Sequence, residues 1–126
     1  MIRSTALAVL GVSLASVAVS QLIFKATLPR LAAHWAVSQS YAAVARAAAH
    51  DPMLWLGIVL VLLGATCWYA AMSGLPLSLM MPMSGLIAPV VSVGAYLVFG
   101  ETLTPAKCAA ITVIASGVAW LGYLNT

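Results

Sequence analysis

Apolar residues run in four long blocks along this chain, at residues 5–24, 53–73, 77–99 and 106–124. A hydrocarbon core about 30 Å thick is crossed by about 20 apolar residues in an α-helix, whose backbone satisfies its own hydrogen bonds. Each block has that length. The pattern therefore predicts an all-α integral membrane protein with four transmembrane helices in one domain, residues 1–126. The first block follows Arg3, and Ala18-Val19-Ser20 resembles a cleavage site, so the segment shares the grammar of a secretory signal. It is read here as the first span.

The connections differ in kind. Ser73-Gly74-Leu75-Pro76 and Gly100-Glu101-Thr102-Leu103-Thr104-Pro105 are short, which makes successive helices antiparallel neighbours. Thr104 suits an N-cap, and Pro105 suits the first position of the last helix. The connection over 28–52 is long, alanine-rich and bracketed by Pro29 and Pro52. Val37, Tyr41, Val44 and Ala48 repeat at three-four spacing, with Gln39, Arg46 and His50 on another face. Trp35 and Tyr41 suit the headgroup level. This spacing predicts an amphipathic helix on the membrane surface between the first and second spans.

Composition agrees with a lipid solvent. The chain is 64% hydrophobic and 6% charged, where a soluble domain carries about 25% charged residues. Its mean hydropathy is +1.13. The five basic residues, Arg3, Lys25, Arg30, Arg46 and Lys107, are scattered, so the net charge of +3 implies no nucleic-acid partner. Cys67 and Cys108 lack metal-ligand spacing and read as small apolar core residues; no metal or cofactor is expected. No enzyme motif is present. Arg3 stands alone on one side, against Lys25, Arg30, Arg46 and Lys107 on the other. The positive-inside bias puts the long connection in the cytoplasm. With Lys25 and Lys107 set aside for other roles, the bias shrinks to two against one and orientation stays open.

Polar residues within the spans are the candidate chemistry. Ser13, Ser16 and Ser20 share a face of the first helix, with Gln21 beside it and Lys25 a turn beyond. Such residues either hydrogen-bond between helices or line a polar groove. Pro82 and Pro89, with Gly85 and Gly94, predict a broken third span, and broken helices recur at transport sites. Met80, Met81 and Met83 flank Pro82, and Ser84 follows. Glu101 and Asp51 are the two acids. No acid lies mid-span, and Glu101 is expected to pair with Lys107 or nearby backbone. Ala109, Thr112, Ser116 and Ala119 form a small-residue face on the last span, and Ala8, Gly11, Ala15 and Ala18 form one on the first. Both permit close helix approach.

Two stretches carry a resemblance. Gly74 to Met83, followed by Phe99-Gly100-Glu101-Thr102-Leu103-Thr104-Pro105, is similar to the drug/metabolite transporter superfamily, whose EamA-type members open their last helix with an "FGE-x-LTP" turn. Gly117 in the final helix also fits. Four spans point to the small multidrug resistance-like branch. Exporters of that branch carry a glutamate in the first helix, which is absent here. Ser16 to Lys25 instead resembles the "SVxxQxxxK" end of that helix in aminoarabinose-lipid flippase subunits, and Met81-Pro82-Met83 aligns with their "YPM", methionine replacing tyrosine. The long alanine-rich connection departs from the family's short loop.

The resemblance implies a transporter of the bacterial inner membrane; because four helices enclose little volume, the working unit is expected to be a dimer, with itself or a paralogous small subunit. Its substrate would be a polyprenyl-phosphate-linked sugar or similar anionic amphiphile, with membrane lipids around it. Ser13, Ser16, Ser20, Gln21, Lys25, Pro82, Ser84 and Glu101 are the expected substrate-binding residues. The competing readings are a small cation exporter and a non-transporting accessory subunit of a membrane glycosyltransferase.

Overall fold

The computed structural model describes residues 2–125, and within them the regular structure is entirely helical. Helix α1 covers Arg3–Ser38, α2 Tyr41–Ala49, α3 Pro52–Met72, α4 Leu77–Met83, α5 Ile87–Phe99 and α6 Pro105–Leu124. A 3-10 turn over Ser84–Leu86 joins α4 to α5. Four segments are long and apolar enough to cross a membrane: α1, α3, α6, and the run Leu77–Phe99 formed by α4, the turn and α5.

The boundaries follow local chemistry. Asp51 caps α3, its carboxylate accepting from the Met53 and Leu54 amides, and Pro52 follows at the first helical position. The first amides of a helix lack internal partners, so an acidic side chain there also meets the positive end of the dipole. Thr104 does the same for α6 by accepting from the Lys107 amide, with Pro105 next. Between Pro82 and Pro89 the chain tightens to the 3-10 turn. Each proline removes an amide and orphans the carbonyl one turn back, and Ser84 Oγ donates to the Met81 carbonyl at 2.6 Å beside the break.

The main packing contact joins α1 to α3. A Cβ on Gly64 would lie 2.7 Å from Val17 Cγ2 and 3.2 Å from the Ser13 carbonyl oxygen. A Cβ on Gly57 would lie 2.7 Å from Phe24 Cε1. Seven residues separate the two glycines, as they separate Val17 from Phe24, so the helices run antiparallel in even register. Toward the α3 C-terminus the contact continues into a small core of Ala6, Leu10, Ala71, Leu75, Leu79 and Met80. Helix α5 packs on α1 at Gly94, where a Cβ would meet Leu22 at 2.6 Å. Helix α6 packs on α4, the 3-10 turn and α5.

The long connection differs from its expected form. Helix α1 passes through Pro29 and ends at Gln39, which takes the left-handed conformation (φ 46°). Helix α2 then folds back on it from Ser40, whose hydroxyl accepts from the Ala43 amide. Residues 28–50 thus form a helical hairpin rather than one continuous surface helix. Tyr41 and Val44 face Leu28, Leu31 and Trp35 across the hairpin, and the Trp35 and Tyr41 rings meet at a tilt of 38° with centroids 4.5 Å apart. Val37, expected on the same stripe, is 89% exposed because the break at Gln39 puts it out of register. Cys108, expected in the core, is exposed on α6, while Cys67 is partly buried.

Steric closeness at the two kinds of glycine gives opposite expectations. Gly64→Ala lowers stability by about 1–3 kcal/mol, since backbone as well as side chain blocks the new methyl. Gly122, with nothing within 4 Å of its Cβ position, tolerates alanine with no loss, and helix propensity favours it by up to about 1 kcal/mol. Unfolding in detergent, followed by circular dichroism, measures both.

Candidate functional site

The groove follows from how α1 meets its neighbours. Helix α3 covers one side of it and the α4–α5 segment approaches another, leaving an open groove of about 340 Å³ between them. Leu14, Val17, Val61 and Trp68 supply apolar wall, and Ser13 and Ser84 are polar residues on it. Gln21 follows Leu14 and Val17 at three-four spacing on α1, and Lys25 follows Gln21 by four, so this helix face continues to the cation. Gln21 is exposed.

The expected serine stripe divides. Ser13 is 1% exposed and donates to the Gly64 carbonyl at 2.7 Å. That bond depends on the close approach that Gly64 permits. Ser20 is fully buried and donates to the Val17 carbonyl in its own helix at 2.7 Å. Ser16 is also buried. The three serines therefore pack inside the protein, and only Ser13 reaches the edge of the groove. Ser84 is partly buried, with its hydroxyl turned back to Met81. Pro82 and Met81 are exposed, while Met80 is fully buried in the core.

Farther along α1 the structure joins two motifs far apart in sequence. Lys25 forms an ion pair with Glu101. Its Nζ also lies 5.6 Å from the centroid of the Phe99 ring, within reach of cation–π attraction. Gly100 makes the convergence possible. It ends α5 in the left-handed conformation (φ 66°), its amide bonding to the Tyr96 carbonyl and the Glu101 amide to the Ala95 carbonyl. This reversal lets residues on both sides of Gly100 meet Lys25. Glu101 was expected to meet Lys107 or local backbone. Lys107 instead lies exposed on the first turn of α6, whereas the packing of α5 on α1 delivers Glu101 to Lys25. Both members of the pair are nearly half exposed, with side-chain accessibilities of 48% and 45%.

The sequence reading missed Phe99 as a partner of Lys25 and Gly64 as the acceptor for Ser13. Only glycine in an apolar helix signals the second, and nothing local signals the first. Among the described residues no group of three His, Cys, Asp or Glu side chains is placed to hold a metal ion.

Two substitutions separate packing from charge here. Ser13→Ala removes one interhelical bond and lowers stability by about 0.6 kcal/mol, and by no more than about 1.7. A double-mutant cycle on Lys25→Ala and Glu101→Gln gives a coupling of at most about 1 kcal/mol, since solvent screens a half-exposed pair. Thermal unfolding of the purified variants checks both values.

Comparison with family models, with curated proteins and with solved structures finds no match to this chain.

Proposed function

We propose that this chain is a multi-pass protein of the bacterial inner membrane that moves an anionic amphiphile of the polyprenyl-phosphate type between leaflets, working as a dimer. The observation that carries this reading is the Lys25–Glu101 pair, which stands about two turns along α1 from Val17, the last α1 residue of a largely apolar, open groove. An apolar groove open at the side suits a lipid tail left in the bilayer, and a half-exposed ammonium suits a phosphate. Glu101 acts as the internal counter-ion. It compensates Lys25 while no ligand is bound, and an incoming phosphate displaces it; a half-exposed pair is held weakly enough for that exchange.

Membrane insertion is supported by the inverted distribution of apolar side chains. Leu62, Leu97, Val113 and Trp120 are all at least 60% exposed on the candidate spans. Water does not tolerate contiguous exposure on that scale, whereas lipid does. Cation export is the weaker reading. It needs an uncompensated acid, and the acid nearest the groove is held by Lys25. The broken segment at Pro82 and Pro89 supplies a place for the groove wall to bend between inward- and outward-facing states.

The dimer is supported by a face of small residues. Ala109, Thr112, Ser116 and Ala119 lie exposed along α6, and small residues allow a second copy or a paralogous subunit to approach closely.

Mass spectrometry of co-purified lipid tests the substrate reading. A polyprenyl-phosphate species is expected on the native protein and on Glu101→Gln, and is expected to be lost from Lys25→Ala while its helical circular dichroism is retained. Equal retention by Lys25→Ala refutes the role of the lysine. For the assembly, Ser116→Leu shifts the detergent-solubilised particle from dimer to monomer by light scattering, and an unchanged mass places the interface elsewhere.

A further inference from the structure

Outside the groove, the hairpin of α1 and α2 has two unlike faces. Its apolar face carries Leu28, Leu31, Trp35, Tyr41 and Val44. Its other face gathers two arginines and two histidines. Arg30 and His34 line one shallow hollow, and His34, Arg46 and His50 line the adjoining one, of about 390 Å³. All four side chains are exposed. Arg30 Nε donates to the Ala26 carbonyl at 3.3 Å, which leaves both terminal nitrogens of the guanidinium for a ligand. The His50 ring is held by Nδ1 donating to the Arg46 carbonyl at 2.8 Å.

No acid forms an ion pair with this cluster among the described residues. Asp51, next to His50, turns its Oδ1 to the amides of Met53 and Leu54, and Glu101 pairs with Lys25. The arginines therefore keep their charge for an external anion.

The register of α1 and α3 gives the height of the cluster. Phe24 lies against Gly57, and Pro52, where α3 begins, is five residues earlier. Pro52 is thus level with about residue 29 of α1, at a rise of about 1.5 Å per residue. Arg30 and His50 lie at the mouth of the candidate spans, and His34 and Arg46 stand one turn, about 6 Å, farther out. The headgroup layer on each side of a bilayer core is about 5–7 Å deep. All four positions fall within that depth.

We infer that Arg30, His34 and Arg46 form a second site, distinct from the Lys25 groove, that binds the phosphate of an anionic phospholipid headgroup of the surrounding membrane. The inference rests on the membrane-insertion part of the proposed function and not on lipid transport. A resident phospholipid bound here anchors the hairpin against the bilayer and holds α2 beside the start of α3.

The test uses the full chain in nanodiscs of phosphatidylcholine containing a minority of phosphatidylglycerol. Native mass spectrometry then counts the lipids retained on the released protein. Phosphatidylglycerol is expected to be enriched over its bulk share. Each of Arg30→Gln and Arg46→Gln is expected to reduce the enrichment, by about fivefold per arginine removed. Arg3→Gln at the opposite end is expected to leave it unchanged. Enrichment that survives the double variant, or falls equally with Arg3→Gln, overturns the site. Loss of enrichment in inorganic phosphate, but not in chloride at equal ionic strength, assigns the hollow to a soluble anion and overturns the lipid reading. Failure of the native chain to enter nanodiscs overturns membrane insertion itself. Enrichment that persists when Lys25→Ala loses its polyprenyl phosphate separates this site from the groove.

Discussion

The close approach of α1 to α3 is the constraint on which the rest of the structure depends. Two glycines make it possible, because at Gly57 and Gly64 a single added methyl would overlap the facing helix. For spans in hydrocarbon, as proposed, there is no hydrophobic drive to press helices together, so tight van der Waals contact and interhelical hydrogen bonding must hold them. The contact supplies both. It brings Gly64 near enough for its carbonyl to accept from Ser13, and it turns Ser16 and Ser20 inward, where lipid would otherwise meet a costly hydroxyl.

Register then distributes the remaining chemistry. With α1 and α3 matched, the end of α1 stands beyond the start of α3. That offset leaves room for α2 to fold back and bring Tyr41 against Trp35. The same alignment puts Lys25 at the level where α5 ends. Gly100 reverses the chain there, and Phe99 and Glu101 arrive on either side of the reversal. An electrostatic contact joining the first span to the last connection is thus a consequence of helix packing made some distance away.

Helix α6 stands apart from this logic. It packs on the broken α4–α5 segment, where a Cβ on Gly85 would lie 3.7 Å from Ile114 and from Val118. Most of its remaining surface is exposed. In the proposed dimer this exposed surface is where a second copy would pack, since its small side chains present backbone rather than bulk to a neighbour.

Much of this was legible in the residues alone. Four apolar blocks with few charges dictate helices, because a backbone in lipid has no other way to pair its polar groups. Thr104-Pro105 marked the start of α6 by local capping chemistry, and Pro82 with Pro89 marked the break. These features depend on residues within a turn or two of each other. Tertiary structure decided what depends on distance. Whether Ser13, Ser16 and Ser20 faced a groove or a helix was open, since helical spacing shows that they share a side but not what covers it. Glu101 had Lys107 close in sequence and met Lys25 instead, because α5 lies on α1 while α6 carries Lys107 away. The run through Pro29 was read as a boundary, yet α1 continues to Ser38. Proline costs a helix one hydrogen bond and a local clash, and the packing of α2 along the same stretch offsets that cost.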